Sequence, residues 1–247
     1  MSKCSLCKQT GHNKKKCPTV EIIAEPTESE LMAVANAARF TTWLATHHNP
    51  AITRLRNPQV VQWLYGDLSF LPNTKNKKEA KAEEDKWGRM VATSFRPDLK
   101  CDEEEKQWTT NLGQDICKEL YELSGHTVSK IETRDHLAPD WETDKVVLEA
   151  KTQTFHTTGT AGEKVLGTPF KYAEVPVLYG KKHEEKHEEK PLKIVCMAGI
   201  EKLSREHYGN LAGTKTSPKK EDFLKYLRDN LKIEYVAATD ILNSLSA

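Results

Sequence analysis

The 247 residues are 37% hydrophobic and 30% charged, enough apolar chain for one medium-sized domain with small appendages and too much for a disordered protein. No apolar run approaches the ~20 residues of a membrane-spanning helix, and the opening Met-Ser-Lys-Cys lacks the apolar middle of a secretory signal. An intracellular protein of cytoplasm or nucleus, with no membrane attachment, is expected. Lysine and arginine number 37 against 36 aspartate and glutamate, so any attraction to nucleic acid has to come from local clusters of charge.

Three of the six cysteines fall in the first seventeen residues, as Cys4-x2-Cys7-x4-His12-x4-Cys17. Three thiolates and one imidazole are a structural zinc set, and a segment this short has no apolar core, so zinc would supply its folding free energy. Residues 1–18 resemble the retroviral-type zinc knuckle in ligand order and spacing. Knuckles that stack bases carry an aromatic after the first cysteine, where this chain has Ser5 and Leu6. Phosphate contact through Lys14, Lys15 and Lys16 is therefore the expected contribution of this module. The scattered Cys101, Cys117 and Cys196 read as small core residues in a reducing compartment.

Residues 19–100 read as a linker and helical region. Pro18 and Pro26 bracket a connector. Leu31, Val34, Ala35, Ala38, Phe40, Trp43 and Leu44 then recur at helical spacing up to about residue 46. After His47-His48-Asn49-Pro50 a second helix is expected over 58–65. Residues 73–86 are rich in Lys, Glu and Ala without large apolar side chains, which suggests a solvated helix or linker.

From 101 to 247 helices and strands alternate. An amphipathic helix over 102–124 carries Trp108, Leu112, Ile116, Cys117, Leu120 and Tyr121 on one face. Strands are expected over 127–132, 145–155, 192–198 and 233–237, with helices over 161–179, 201–208, 221–231 and 239–245, giving a mixed sheet with helices on both faces. The repeat Lys-His-Glu-Glu-Lys-His-Glu-Glu-Lys within 180–190 reads as a solvated surface insertion, and His183 and His187 receive no role.

The chemistry concentrates in Pro139-Asp140 … Glu149-Ala150-Lys151. On a strand, Val147, Glu149 and Lys151 point one way and Leu148 and Ala150 the other. A hairpin through Glu142-Thr143-Asp144 brings Asp140 beside Glu149, and with the Ala150 carbonyl these supply oxygen ligands for a hard cation such as Mg²⁺. Lys151 shares the site and could orient a water or offset charge on a phosphate. Gln153, two residues on, shares its face as a further candidate catalytic residue that could touch the metal's water or a phosphate, and reads equally well as an exposed strand glutamine. The polar, Gly-interrupted stretch from His156 to Lys164 offers backbone N–H groups and the hydroxyls of Thr158 and Thr160 to phosphate, ahead of a helix bearing Lys164 and Lys171.

This arrangement resembles the PD-(D/E)xK nucleases. From about Gln107 onward the chain resembles type II restriction endonucleases, including those of bacteria and large DNA viruses. The resemblance implies a restriction-endonuclease-like fold with catalytic Asp140, Glu149 and Lys151, catalytic Mg²⁺ beside structural Zn²⁺, and hydrolysis of double-stranded DNA at a short specific site. It also implies a homodimer that places one active site on each strand. In that family the helix before the hairpin often adds an acidic residue, for which Glu119 is the candidate, with Gln114 as a replacement for an acid. A structure-specific repair or recombination nuclease and a non-catalytic nucleic-acid-binding protein are the alternative readings.

Overall fold

The computed structural model describes Thr10 and residues 27–102, 107–157, 163–183 and 186–247. By their contacts the residues divide into a unit of Met1–Met32 and a unit of Ala33–Ala247. The zinc ligands Cys4, Cys7, His12 and Cys17, with Lys14, Lys15 and Lys16, lie outside the described residues, as do Thr158 and Thr160.

Helix α1 (Glu28–Thr46) opens on a capping box, in which the Thr27 hydroxyl accepts from the Glu30 N–H and the Glu30 carboxylate accepts from the Thr27 N–H. Helix α2 (Pro58–Tyr65) starts at an Asn57 cap with Pro58 in its first turn and stops at Gly66, which adopts the left-handed conformation. Helix α3 (Lys77–Phe95) is capped by Asn76, whose side chain accepts from two backbone N–H groups. A 3-10 turn, Pro97–Leu99, leads on toward α4 (Trp108–Leu123).

Strands β1 (Val128–Lys130), β2 (Trp141–Thr143) and β3 (Val147–Gln153) form an antiparallel meander. Helices α5 (Lys164–Lys171) and α6 (Val175–Leu178) follow, then a small hairpin of β4 (Lys181–His183) and β5 (Lys186–Glu188). The charged repeat, expected to be an irregular loop, thus pairs with itself. Strand β6 (Leu192–Ala198) runs parallel to β3. Helix α7 (Gly199–Leu203), a π-helical turn (Ser204–Tyr208) and α8 (Pro218–Leu231) lead to β7 (Ile233–Ala237), parallel to β6, and α9 (Ala238–Leu245) closes the chain.

The sheet order is β1-β2-β3-β6-β7, antiparallel on one side of β3 and parallel on the other. Strand β6 is buried over most of its length, as a central parallel strand covered on both faces must be. Its side chains alternate: Val195 and Met197 join Leu148 in a core with α1 to α4 and α9, while Ile194 and Cys196 join Val147 and Ile233 in a second core under α5 to α7. The mixed α/β sheet flanked by helices is therefore as expected. Among the described residues no helix is long and apolar enough to cross a membrane.

The helical region packs into the same core as the sheet. Trp63, Trp87 and Trp108, from α2, α3 and α4, pack with ring centroids 5.6 to 6.2 Å apart in the same core as the sheet. A tryptophan buried this deeply needs an acceptor for its indole N–H. The Trp63 and Trp108 indoles donate to the Glu84 and Asp85 carboxylates at 2.8 and 3.1 Å, and that of Trp87 to the Gln59 side chain at 3.0 Å. Charges that read as solvated in 73–86 are thus partners of buried indoles. Gly88 lets α3 and α4 close, since a Cβ there would lie 2.2 Å from the Trp108 ring.

Fully buried Glu84 also accepts from the Phe155 and His156 N–H groups just past β3, at 2.9 and 3.3 Å. Burial raises its pKa against those three donors. Glu84→Ala would strand an indole N–H and two amides, at a cost of about 3 kcal/mol in urea denaturation. Exposed Lys86→Ala should cost less than about 0.5 kcal/mol. Equal, small effects would show that the carboxylate does not hold these layers together.

Candidate active site

Strand β2 is short. Its ladder with β3 pairs Trp141 with Leu148 and Glu142 with Val147, and the Asp140 N–H donates to the Leu148 carbonyl at 3.0 Å. Beyond that point β3 has no backbone partner from β2. The Asp140 side chain takes its place, with Oδ2 accepting from the Ala150 N–H at 2.7 Å. The N–H and C=O of one strand residue point to the same side, so the Ala150 carbonyl faces this edge too. Asp140 Oδ1 accepts from Gln114 Nε2 on α4 at 2.5 Å, and the Trp141 indole donates to the Gln114 carbonyl at 2.8 Å. Helix α4 comes close because Gly113 lies against Thr152, where a Cβ would meet the hydroxyl at 1.9 Å.

On β3, Glu149 is buried at 5% exposure on the side of Val147, as the alternation predicts. Its Oε1 accepts from Lys151 Nζ at 2.5 Å, while Oε2 is buried without a partner at hydrogen-bonding distance, the Tyr172 hydroxyl being the donor that faces this carboxylate. Burial, then the charge of Asp140, pushes the Glu149 pKa up to about 6, against the pull of Lys151 and Lys171. Asp140 is raised as well, by burial, opposed by the Ala150 N–H, Lys151, Gln114 and Lys171. The Cys117 thiol beneath them on α4 is pushed up by burial and then by both carboxylates.

Lys171, at the end of α5, closes the cluster from the other side of the sheet. Its ammonium lies 2.9 Å from the Tyr172 hydroxyl and 4.5 Å from the centre of that ring. Burial, followed by Glu149, raises the Tyr172 pKa. Lys164 is exposed at the start of α5. The sequence places Tyr172 on the same helical stretch as Lys164 and Lys171, but nothing local distinguishes a tyrosine that lines a site from one that fills a core.

Asp140, Glu149, Lys151, the Ala150 backbone and Lys171 are thus brought together. Gln153 shares the face of Lys151 but is buried, with its Oε1 unpartnered. Glu149, Lys151 and Gln153 therefore set a cation between two orphaned acceptors. Glu119 is not part of the cluster. Its Oε1 accepts from the Thr53 N–H and hydroxyl and the Arg54 N–H, and its Oε2 from the Leu55 N–H, at 2.9 to 3.0 Å. It anchors a loop, and the α4 side chain that reaches the cluster is Gln114. A cavity of about 310 Å³ lies elsewhere, along β7, lined among others by Asn210, Leu224, Arg228 and Tyr235, and contains none of these residues.

Comparison with family models, with curated proteins and with solved structures gave no match, so the site has to be read from its own chemistry. Between its ordinary 4.5 and about 6, Glu149 keeps in the folded state a proton that the unfolded chain releases. Stability therefore falls as pH rises through that window, and above it the deficit is complete at about 2 kcal/mol. In chelator-treated protein at pH 7.5, Glu149→Gln should raise the melting temperature and flatten the slope between pH 4.5 and 6. A lower melting temperature would mean that the ion pair with Lys151 outweighs the cost of burial.

Proposed function

We propose that this chain is a Mg²⁺-dependent endodeoxyribonuclease of the PD-(D/E)xK, type II restriction-like class, hydrolysing phosphodiester bonds of double-stranded DNA. The observation that carries this reading is the convergence of Asp140, Glu149 and Lys151 at the point where β2 ends, with one Glu149 oxygen buried and unpartnered. Leaving a buried carboxylate oxygen unpaired costs stability and calls for a cation or donor at that point. The five-stranded mixed sheet, with a helix before the meander and parallel strands after it, is the arrangement that such a nuclease needs.

Asp140, Glu149 and the Ala150 carbonyl are the donors for the cation. Among the described residues no group of three or more His, Cys, Asp or Glu side chains could hold a metal. Two carboxylates and one carbonyl suit Mg²⁺ nonetheless, because it keeps several waters and takes few protein ligands. Bound there, it would polarise a phosphoryl oxygen. The Ala150 N–H and Gln114 fix the Asp140 carboxylate, and Lys151 holds a positive charge over the same point, where it can orient a water or offset charge on a phosphate. Lys171 adds a second positive charge from α5. Two copies of the chain would supply one such site for each strand of a duplex.

The Cys4, Cys7, His12 and Cys17 donors suit structural Zn²⁺, and the neighbouring Lys14, Lys15 and Lys16 would add affinity for phosphate. A reading as a binding protein alone is disfavoured by the intact set of Asp140, Glu149 and Lys151.

Incubation with a mixed-sequence plasmid and Mg²⁺, followed by sequencing of fragment ends, tests the activity. Asp140→Ala, Glu149→Ala and Lys151→Ala should each lower cleavage by about 10³-fold or more, ~4 kcal/mol, while DNA binding persists. Glu119→Ala should lower stability and leave the rate of the folded enzyme near wild type. Near wild-type cutting by Asp140→Ala would sink the assignment. Cys7→Ser should abolish stoichiometric zinc in elemental analysis and weaken DNA binding at moderate salt; unchanged affinity would remove the knuckle from DNA binding.

A further inference from the structure

Helix α5, Lys-Val-Leu-Gly-Thr-Pro-Phe-Lys, turns Val165, Thr168 and Pro169 into the protein and leaves Phe170 92% exposed. Among the described residues no other exposed large hydrophobic side chain exceeds 63%. Leu166, one turn earlier on the same face, is 44% exposed, so the helix presents a two-residue apolar strip to solvent. The charged residues of α5 are Lys164 and Lys171, with no acidic residue among its eight and exposed Glu163 at its N-cap. Phe170 also adjoins Lys171, whose ammonium bears on buried Glu149 and half-buried Asp140.

We propose that Phe170 is a base-stacking residue, and that the substrate presents an unpaired or unstacked base next to the phosphate held at the acidic cluster. The inference rests on the nuclease reading above and, within double-stranded DNA, narrows the preferred substrate to duplexes that carry an unpaired or unstacked base. A cationic helix without acidic side chains complements a polyanion, and Lys171 places the nearest phosphate one residue from the ring. An aromatic face can be covered by a base there only if that base has a free face of its own. Bases inside an intact duplex have none, whereas a bulge, a frayed end, a flap or a single strand offers one. Insertion of an apolar side chain at a base step is a second route to the same contact.

Binding of full-length protein to labelled DNA without divalent metal tests this, with a perfect duplex, the same duplex carrying one bulged 2-aminopurine, and a single strand. Wild type should bind the last two more tightly and quench 2-aminopurine fluorescence. Phe170→Ala should weaken both by about 10-fold and remove the quenching, with less than about 2-fold change on the perfect duplex. Phe170→Trp should restore all three values. Because the side chain is so exposed, melting temperatures should match, which separates the effect from misfolding.

Equal affinities for Phe170→Ala and wild type on all three DNAs overturn the inference and leave the nuclease reading standing, provided the wild type cuts DNA with Mg²⁺. A wild type that cuts no DNA removes that reading and this inference with it. A drop in molecular mass by sedimentation in Phe170→Ala would identify the strip as a contact between two copies and overturn the stacking role.

Discussion

One hydrogen bond organises the site, that from the Ala150 N–H to Asp140 Oδ2. A strand that loses its neighbour exposes unpaired backbone groups, and β3 loses β2 just after Leu148. By completing the ladder with a carboxylate in place of a backbone carbonyl, the chain sets a negative charge at the sheet edge, in line with the Ala150 carbonyl. The pleat then fixes the rest: Ala150 packs toward α4, and Glu149 and Lys151 emerge on the face under α5. Gln114 and Gly113 bring α4 close enough to hold the other Asp140 oxygen.

Glu84 plays the corresponding part at the far end of β3. A carboxylate with three donors, drawn from α2 and from the residues after β3, ties the tryptophan layer to the strand that carries the site. Two acids therefore grip this segment, half-buried Asp140 at the middle of β3 and buried Glu84 just past its end. The one beyond β3 is fully satisfied and structural, whereas the cluster at Asp140 and Glu149 keeps an unpaired oxygen. That contrast separates an acid that stabilises the fold from acids whose burial is only partly compensated.

Most of the sheet was legible because β6 is an apolar run broken only by Lys193, and because apolar Val146, Val147 and Leu148 precede Glu149 and Lys151, polar residues of β3 that alternate with Ala150 at a period of two. The helix after residue 102 was legible for the same reason at a period near 3.6. What failed depended on long-range partners. Glu84 and Asp85 look like solvent charges in their own segment, and only the indoles of Trp63 and Trp108, about twenty residues away on either side, turn them inward. Glu119 and Gln114 lie on one helix five residues apart, so their side chains diverge. Which of them reaches Asp140 is decided by where residues 53–55 leave amides in need of an acceptor. Gln153 read equally well as exposed or as part of the site, and it is buried.

The charges of the cluster come close to cancelling, and this bears on how the site can work. Asp140 and Glu149 face Lys151 and Lys171, and in this arrangement Lys151 is engaged with Glu149 at 2.5 Å. Strengthening that ion pair further would steady the protein but hold the ammonium away from a phosphate. Burial and the charge of Asp140 push the Glu149 pKa up to about 6, so its ionised form is held at a cost that a further positive charge would relieve. On the proposed reading this is the useful compromise: a carboxylate buried enough to demand a cation leaves Lys151 free to turn from Glu149 to the phosphate once another positive charge takes its place.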